Sequence, residues 1–117
     1  MISDVAPDGS SHPVATGRLL TAYPKIIRSR SLIDGQGDVV QPYGDYSTKS
    51  DAPSGVERTY QVELWPIGNR FKRGHRIRLV ILGASAASAP GAPALDSIRI
   101  GGPDASRLLL PVLPAGS

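Results

Sequence analysis

At 117 residues, with 40% apolar and 20% charged side chains, the chain is sized for one domain and is too apolar to be disordered. The absence of cysteine excludes a disulfide framework, a thiolate metal site and a cysteine nucleophile. A formal charge of +3, from 13 basic against 10 acidic residues, is a mild excess that does not require a nucleic-acid partner. No apolar run approaches the roughly 20 residues of a membrane-spanning helix, and the N-terminus lacks the basic-then-apolar order of a signal peptide. The expected partners therefore include neither nucleic acid nor membrane, and the compartment defaults to the cytoplasm. With 13 glycines and 11 prolines, long helices are disfavoured, and strands joined by turns fit better.

The first element is a strand end running through Asp4-Val5-Ala6-Pro7-Asp8-Gly9 into a tight Pro-Asp-Gly corner. Arg18-Leu19-Leu20-Thr21-Ala22-Tyr23 is too short for periodicity to separate strand from helix, and strand is preferred. From Ser29 to Val56 the glycine, aspartate, serine and proline content predicts a long exposed loop. Tyr60, Val62 and Leu64 alternate with Gln61, Glu63 and Trp65, a half-buried strand pattern that stops at Pro66. Gly68, Asn69 and Gly74 supply turn chemistry before a second strand, in which Ile77, Leu79 and Ile81 alternate with Arg76, Arg78 and Val80. From Gly83 to Ala94 small residues and prolines predict a flexible loop. Ser97-Ile98-Arg99-Ile100 and Arg107 to Val112 read as closing strands around a Gly101-Gly102-Pro103-Asp104 turn.

Three of these stretches together resemble the C-terminal domain of the Xaa-Pro dipeptidyl-peptidase, cocaine esterase and alpha-amino ester hydrolase group of bacterial-type serine hydrolases. They are the Asp4 to Gly9 corner with Gly17-Arg18-Leu19-Leu20, the run from Tyr60 to Pro66 through Phe71 and Gly74-His75-Arg76-Ile77-Arg78-Leu79, and Ser106-Arg107-Leu108-Leu109-Leu110-Pro111-Val112. The resemblance implies an all-β fold over residues 1–117, a jelly-roll β-sandwich of the galactose-binding-like kind. In the family that sandwich packs against an α/β-hydrolase catalytic domain and helps enclose its active site. The family domain is longer at its N-terminus, so the sandwich is expected to be N-terminally incomplete. Its open edges would then favour homo-oligomer contacts. The loop after Leu82 departs from the family, which carries a Ser-Asp-aromatic-Pro-like segment where this chain has alanine and serine.

For chemistry, the nearest approach to a Gly-x-Ser-x-Gly elbow is Gly83-Ala84-Ser85-Ala86-Ala87, but Pro90 and Pro93 preclude a good helix after it. Both histidines also precede the serine, against the hydrolase order. No catalytic, cofactor or metal residue is therefore assigned, and the triad implied by the resemblance belongs to another part of the enzyme. His75, at a strand entry with no second ligand at metal spacing, reads as structural. Asp4 and Asp8 could hold a cation, but turn carboxylates more often accept backbone amides. Trp65 is open between the sandwich edge and a neighbouring domain. Arg70, Lys72, Arg73, Arg76 and Arg78 form the densest basic run; with only Phe71 for stacking, it reads as a solvated face or an interdomain salt-bridge surface. Trp65, Arg76 and Arg78 are thus the candidate partner contacts. The rival reading is a free-standing carbohydrate- or protein-binding β-sandwich, for which the few aromatics show no evident clustering in the sequence.

Overall fold

Two antiparallel sheets and one short 3-10 turn make up the regular structure of the chain in a computed structural model that describes residues 1–83 and 95–116. The strands are β1 (Ile2–Val5), β2 (Ser11–Ala15), β3 (Leu32–Ile33), β4 (Val39–Gln41) and β5 (Arg76–Leu79), with the 3-10 turn at Arg28–Arg30. The larger sheet has the order β2-β1-β5, and β3 pairs with β4 in a separate hairpin.

The Pro-Asp-Gly corner joins β1 to β2 as its composition predicts. The Ala6 N–H donates to the Ser10 carbonyl at 2.8 Å and the Gly9 N–H to the Ala6 carbonyl at 2.9 Å. Gly9 takes φ of 87°, a left-handed conformation that a Cβ would disfavour. Asp8 Oδ1 accepts the Ser10 N–H at 2.9 Å and the Ser10 hydroxyl at 2.6 Å, and these bonds lower the carboxyl's pKa. β5 then crosses back antiparallel on the other side of β1, pairing Ile2 with Leu79 and Val5 with Arg76. Flanked on both sides, β1 holds the buried residues among those described: Ile2 at 3%, Ser3 at 4%, Asp4 at 3% and Val5 at 8% exposure. Because side chains alternate along a strand, Ile2 and Val5 serve opposite faces of the sheet.

The segment expected as a long loop is more structured than its composition suggests. Asp34 accepts the Gln36 and Asp38 N–H groups on one carboxylate oxygen, each at 2.9 Å, and this turn folds β4 back onto β3. Gly37, at φ of 88°, supplies the left-handed step. Farther on, the Arg58 guanidinium donates to the Ser50 and Asp51 carbonyls at 2.8 and 2.9 Å, so the end of the segment is clamped by a side chain.

Other expected strands do not form ladders. Residues 18–23 contain a turn in place of the preferred strand, closed by the Tyr23 N–H donating to the Leu20 carbonyl at 2.9 Å. The alternating segment 60–65 carries no strand; its backbone tie is the Trp65 N–H donating to the carbonyl of Thr16, just past the end of β2, at 3.0 Å. One bond at a crossing is not a ladder, which needs repeated pairing along a neighbour. Gly17 sits at this crossing, where a Cβ would run into the Glu63 carbonyl oxygen. Gly17→Ala is therefore expected to lower stability by about 1–3 kcal/mol, read as a shift in the urea midpoint, because backbone has to move.

Residues Met1–Ile81 and Leu82–Ser117 are two separate compact units. In the second, Gly101 and Gly102 take φ of 77° and 81°, and the Ser106 N–H reaches the Arg99 carbonyl at 3.0 Å. The expected turn is present, but the flanking segments 97–100 and 107–112 are not strands. A lone hairpin without a third strand is marginal in water. The expected flexible loop at 83–94, Ser85 and its elbow-like neighbours included, lies outside the described residues from Ala84 onward.

Candidate functional site

Polar chemistry inside the larger sheet centres on Asp4. Its Oδ1 lies 2.7 Å from His75 Nδ1 and its Oδ2 accepts the Asn69 amide at 3.3 Å. A carboxylate only accepts, so the His75 Nδ1 carries the donated proton. Burial pushes the Asp4 carboxyl up, but the hydrogen bonds from His75 and Asn69, with the nearby charges of His75 and His12, outweigh it and leave the pKa lowered. Asp4 and His75 side chains are 3% and 18% exposed. From the sequence alone the two residues are unconnected, Asp4 an amide acceptor in the corner and His75 an isolated structural histidine. The fold makes them one pair that ties the turn before β5 to β1. His75 thus has a carboxylate partner 71 residues away in the sequence. Among the described residues no group of three or more histidine and carboxylate side chains is placed to hold a metal ion.

The candidate contact residues lie outside this cluster. Trp65 is 76% exposed and, with Ile67 at 62%, borders a hollow of about 340 Å³ whose other wall is Pro13, Val14, Ala15 and Thr16 at the end of β2. Arg76 and Arg78 stand exposed on β5, alternating with Ile77 and Leu79, which are 46% and 45% exposed. The alternation expected there is present over Arg76–Leu79, and both sets of side chains are exposed on a strand at the end of the sheet order among the described residues. Among the described residues, Arg70, Lys72, Arg73, Arg76 and Arg78 carry no ion pair and no side-chain hydrogen bond.

A second hollow, of about 290 Å³, is bordered by Tyr43, Tyr46, Arg18, Lys25, Gln61 and Glu63 among others. Tyr23 packs on Tyr46 with ring centroids 5.5 Å apart, and Glu63 accepts the Gln41 amide at 2.9 Å. Three tyrosines that look scattered in the sequence, Tyr23, Tyr43 and Tyr46, therefore group in the fold. The 3-10 turn, the β3–β4 hairpin and the Ile26–Gly44 bridge assemble them, and no local motif announces that arrangement.

These features define a class: a nearly all-β module whose two antiparallel sheets are consistent with a β-sandwich. The family model for the X-Pro dipeptidyl-peptidase C-terminal non-catalytic domain matches residues 1–98, and the chain belongs to that family. It is thus a non-catalytic C-terminal module of an X-Pro dipeptidyl-peptidase-like enzyme, a domain that associates with a catalytic one. Comparison with curated proteins and with solved structures finds no match. No helix among the described residues is long and apolar enough to cross a membrane.

Proposed function

We propose that the chain is a jelly-roll, galactose-binding-like module that packs on the α/β-hydrolase domain of a serine hydrolase acting on Xaa-Pro peptides or on esters of the cocaine-esterase kind. There it helps enclose the active site or joins copies of the enzyme. Trp65 carries the reading: an indole 76% exposed beside an apolar hollow is poorly suited to water and well suited to a neighbouring domain. Arg76 and Arg78 are proposed to add charged contacts to the same association. The test is co-purification with a catalytic domain bearing Gly-x-Ser-x-Gly. Trp65→Ala is expected to weaken capture by about tenfold or more, as for a buried aromatic anchor. Turnover of an Xaa-Pro anilide by the isolated chain, abolished by Ser85→Ala, overturns the proposal.

A second reading, a carbohydrate-binding module, is favoured by the tyrosine hollow. Tyr43 and Tyr46 offer stacking faces, while Arg18, Gln61 and Glu63 offer hydrogen-bonding groups to a sugar ring. Glycan-array binding lost in Tyr46→Ala would select this reading; binding to no glycan removes it.

A further inference from the structure

Among the described residues no strand pairs with the outer edge of β5, and that edge carries a defined charge pattern. Met1 and Val80 exchange both backbone bonds, the Met1 amine to the Val80 carbonyl at 2.9 Å and the Val80 N–H to the Met1 carbonyl at 2.8 Å. In an antiparallel ladder such exchanges fall on alternate pairs, so Ser3 with Arg78 and Val5 with Arg76 are the next ones. The N–H and C=O groups of Ile77 and Leu79 therefore point away from β1. The sheet order ends at β5, and no backbone partner for Ile77 or Leu79 is present among the described residues. Unsatisfied edge groups are a template for an added strand.

Side chains select the occupant. An added strand sets its residues directly opposite Arg76, Ile77, Arg78 and Leu79, and opposite charges across a strand pair stabilise it while like charges oppose it. Arg76 and Arg78 have no ion-pair partner among the described residues, and Arg70, Lys72 and Arg73 add positive charge in the preceding turn. A second copy of β5 fits badly. A two-fold axis at Ile77 or at Arg78 sets arginine against arginine, and one between them sets Ile77 against Arg78. We propose that the β5 edge binds an extended peptide segment in which carboxylates alternate with apolar residues, adding it as an antiparallel strand. This goes beyond the domain-packing reading, since the edge would take such a segment from any polypeptide that carries it.

The test titrates the full chain into a fluorescein-labelled octapeptide of alternating valine and glutamate and follows anisotropy. Binding is expected to weaken about tenfold when lysine replaces glutamate, and similarly when the edge amides of the peptide are N-methylated. The double variant Arg76→Glu, Arg78→Glu is expected to reverse the preference and take the lysine peptide, a gain that misfolding cannot produce. Equal affinity for the two peptides, indifference to N-methylation, or a dimer that excludes the peptide in sedimentation each overturns the proposal. Trp65→Ala leaves this titration unchanged, so failure here and failure of the catalytic-domain association are separable.

Discussion

His75→Phe is expected to lower the melting temperature by about 10 °C, and Asp4→Leu in the same background to restore much of that loss. The single variant leaves the Asp4 carboxylate, 3% exposed, with the 3.3 Å Asn69 amide as its remaining side-chain partner. A buried charge deprived of its partner costs more than the pair contributes, whereas removing both partners leaves an apolar contact. If the two losses simply add in the double variant, the pair is not coupled and the ring acts by packing alone. Acid carries an independent signature. The folded carboxyl of Asp4 has a pKa below its ordinary 3.8, so the unfolded chain binds the proton more readily. The stabilisation is fully present above the ordinary value and is lost as pH falls through the lowered one. Asp8 and Asp45 shift in the same direction, through their hydrogen bonds from Ser10 and Ser47. Asp4→Asn should therefore flatten, without abolishing, the fall of the denaturation midpoint below pH 4, measured by circular dichroism.

What could be read in advance follows how local each signal is. The Pro7-Asp8-Gly9 corner is legible because its hydrogen bonds and its left-handed glycine lie within five residues of one another. Arg76 to Leu79 is legible because alternation over a strand needs no knowledge of the partner. The same alternation at Tyr60 to Trp65 misleads: it specifies an extended two-faced segment, but a ladder requires a neighbour, and residues 60–65 find one backbone bond at Thr16. The β3–β4 hairpin is hidden for the opposite reason. Its strands span two and three residues, and the Asp34 turn has the composition of an ordinary loop. The Asp4–His75 pair and the grouping of Tyr43 with Tyr46 depend on which segments become neighbours, information that resides in the whole chain. A parity rule does connect the first of these. Asp4 faces Ile77, two residues beyond His75, so the pair follows once β1 is set against β5.

Ile2→Ala is expected to cost about 2–4 kcal/mol, a large part of the roughly 5–15 kcal/mol that stabilises a domain. Ile2 and Val5 are the buried apolar side chains among the described residues, and Ile2 lies on the strand that both β2 and β5 use as their neighbour. Truncating it removes packing beside Ala15 and Leu79 at once, since both are its cross-strand partners. With four residues in β1, little else can close the gap. Ile77→Ala, on a side chain 46% exposed, supplies the contrast and should fall within about 0.5 kcal/mol of the parent. Urea titrations of the two variants at constant m separate the cases. Equal midpoint shifts would mean that stability resides away from β1, and that the central strand is not the core of this unit.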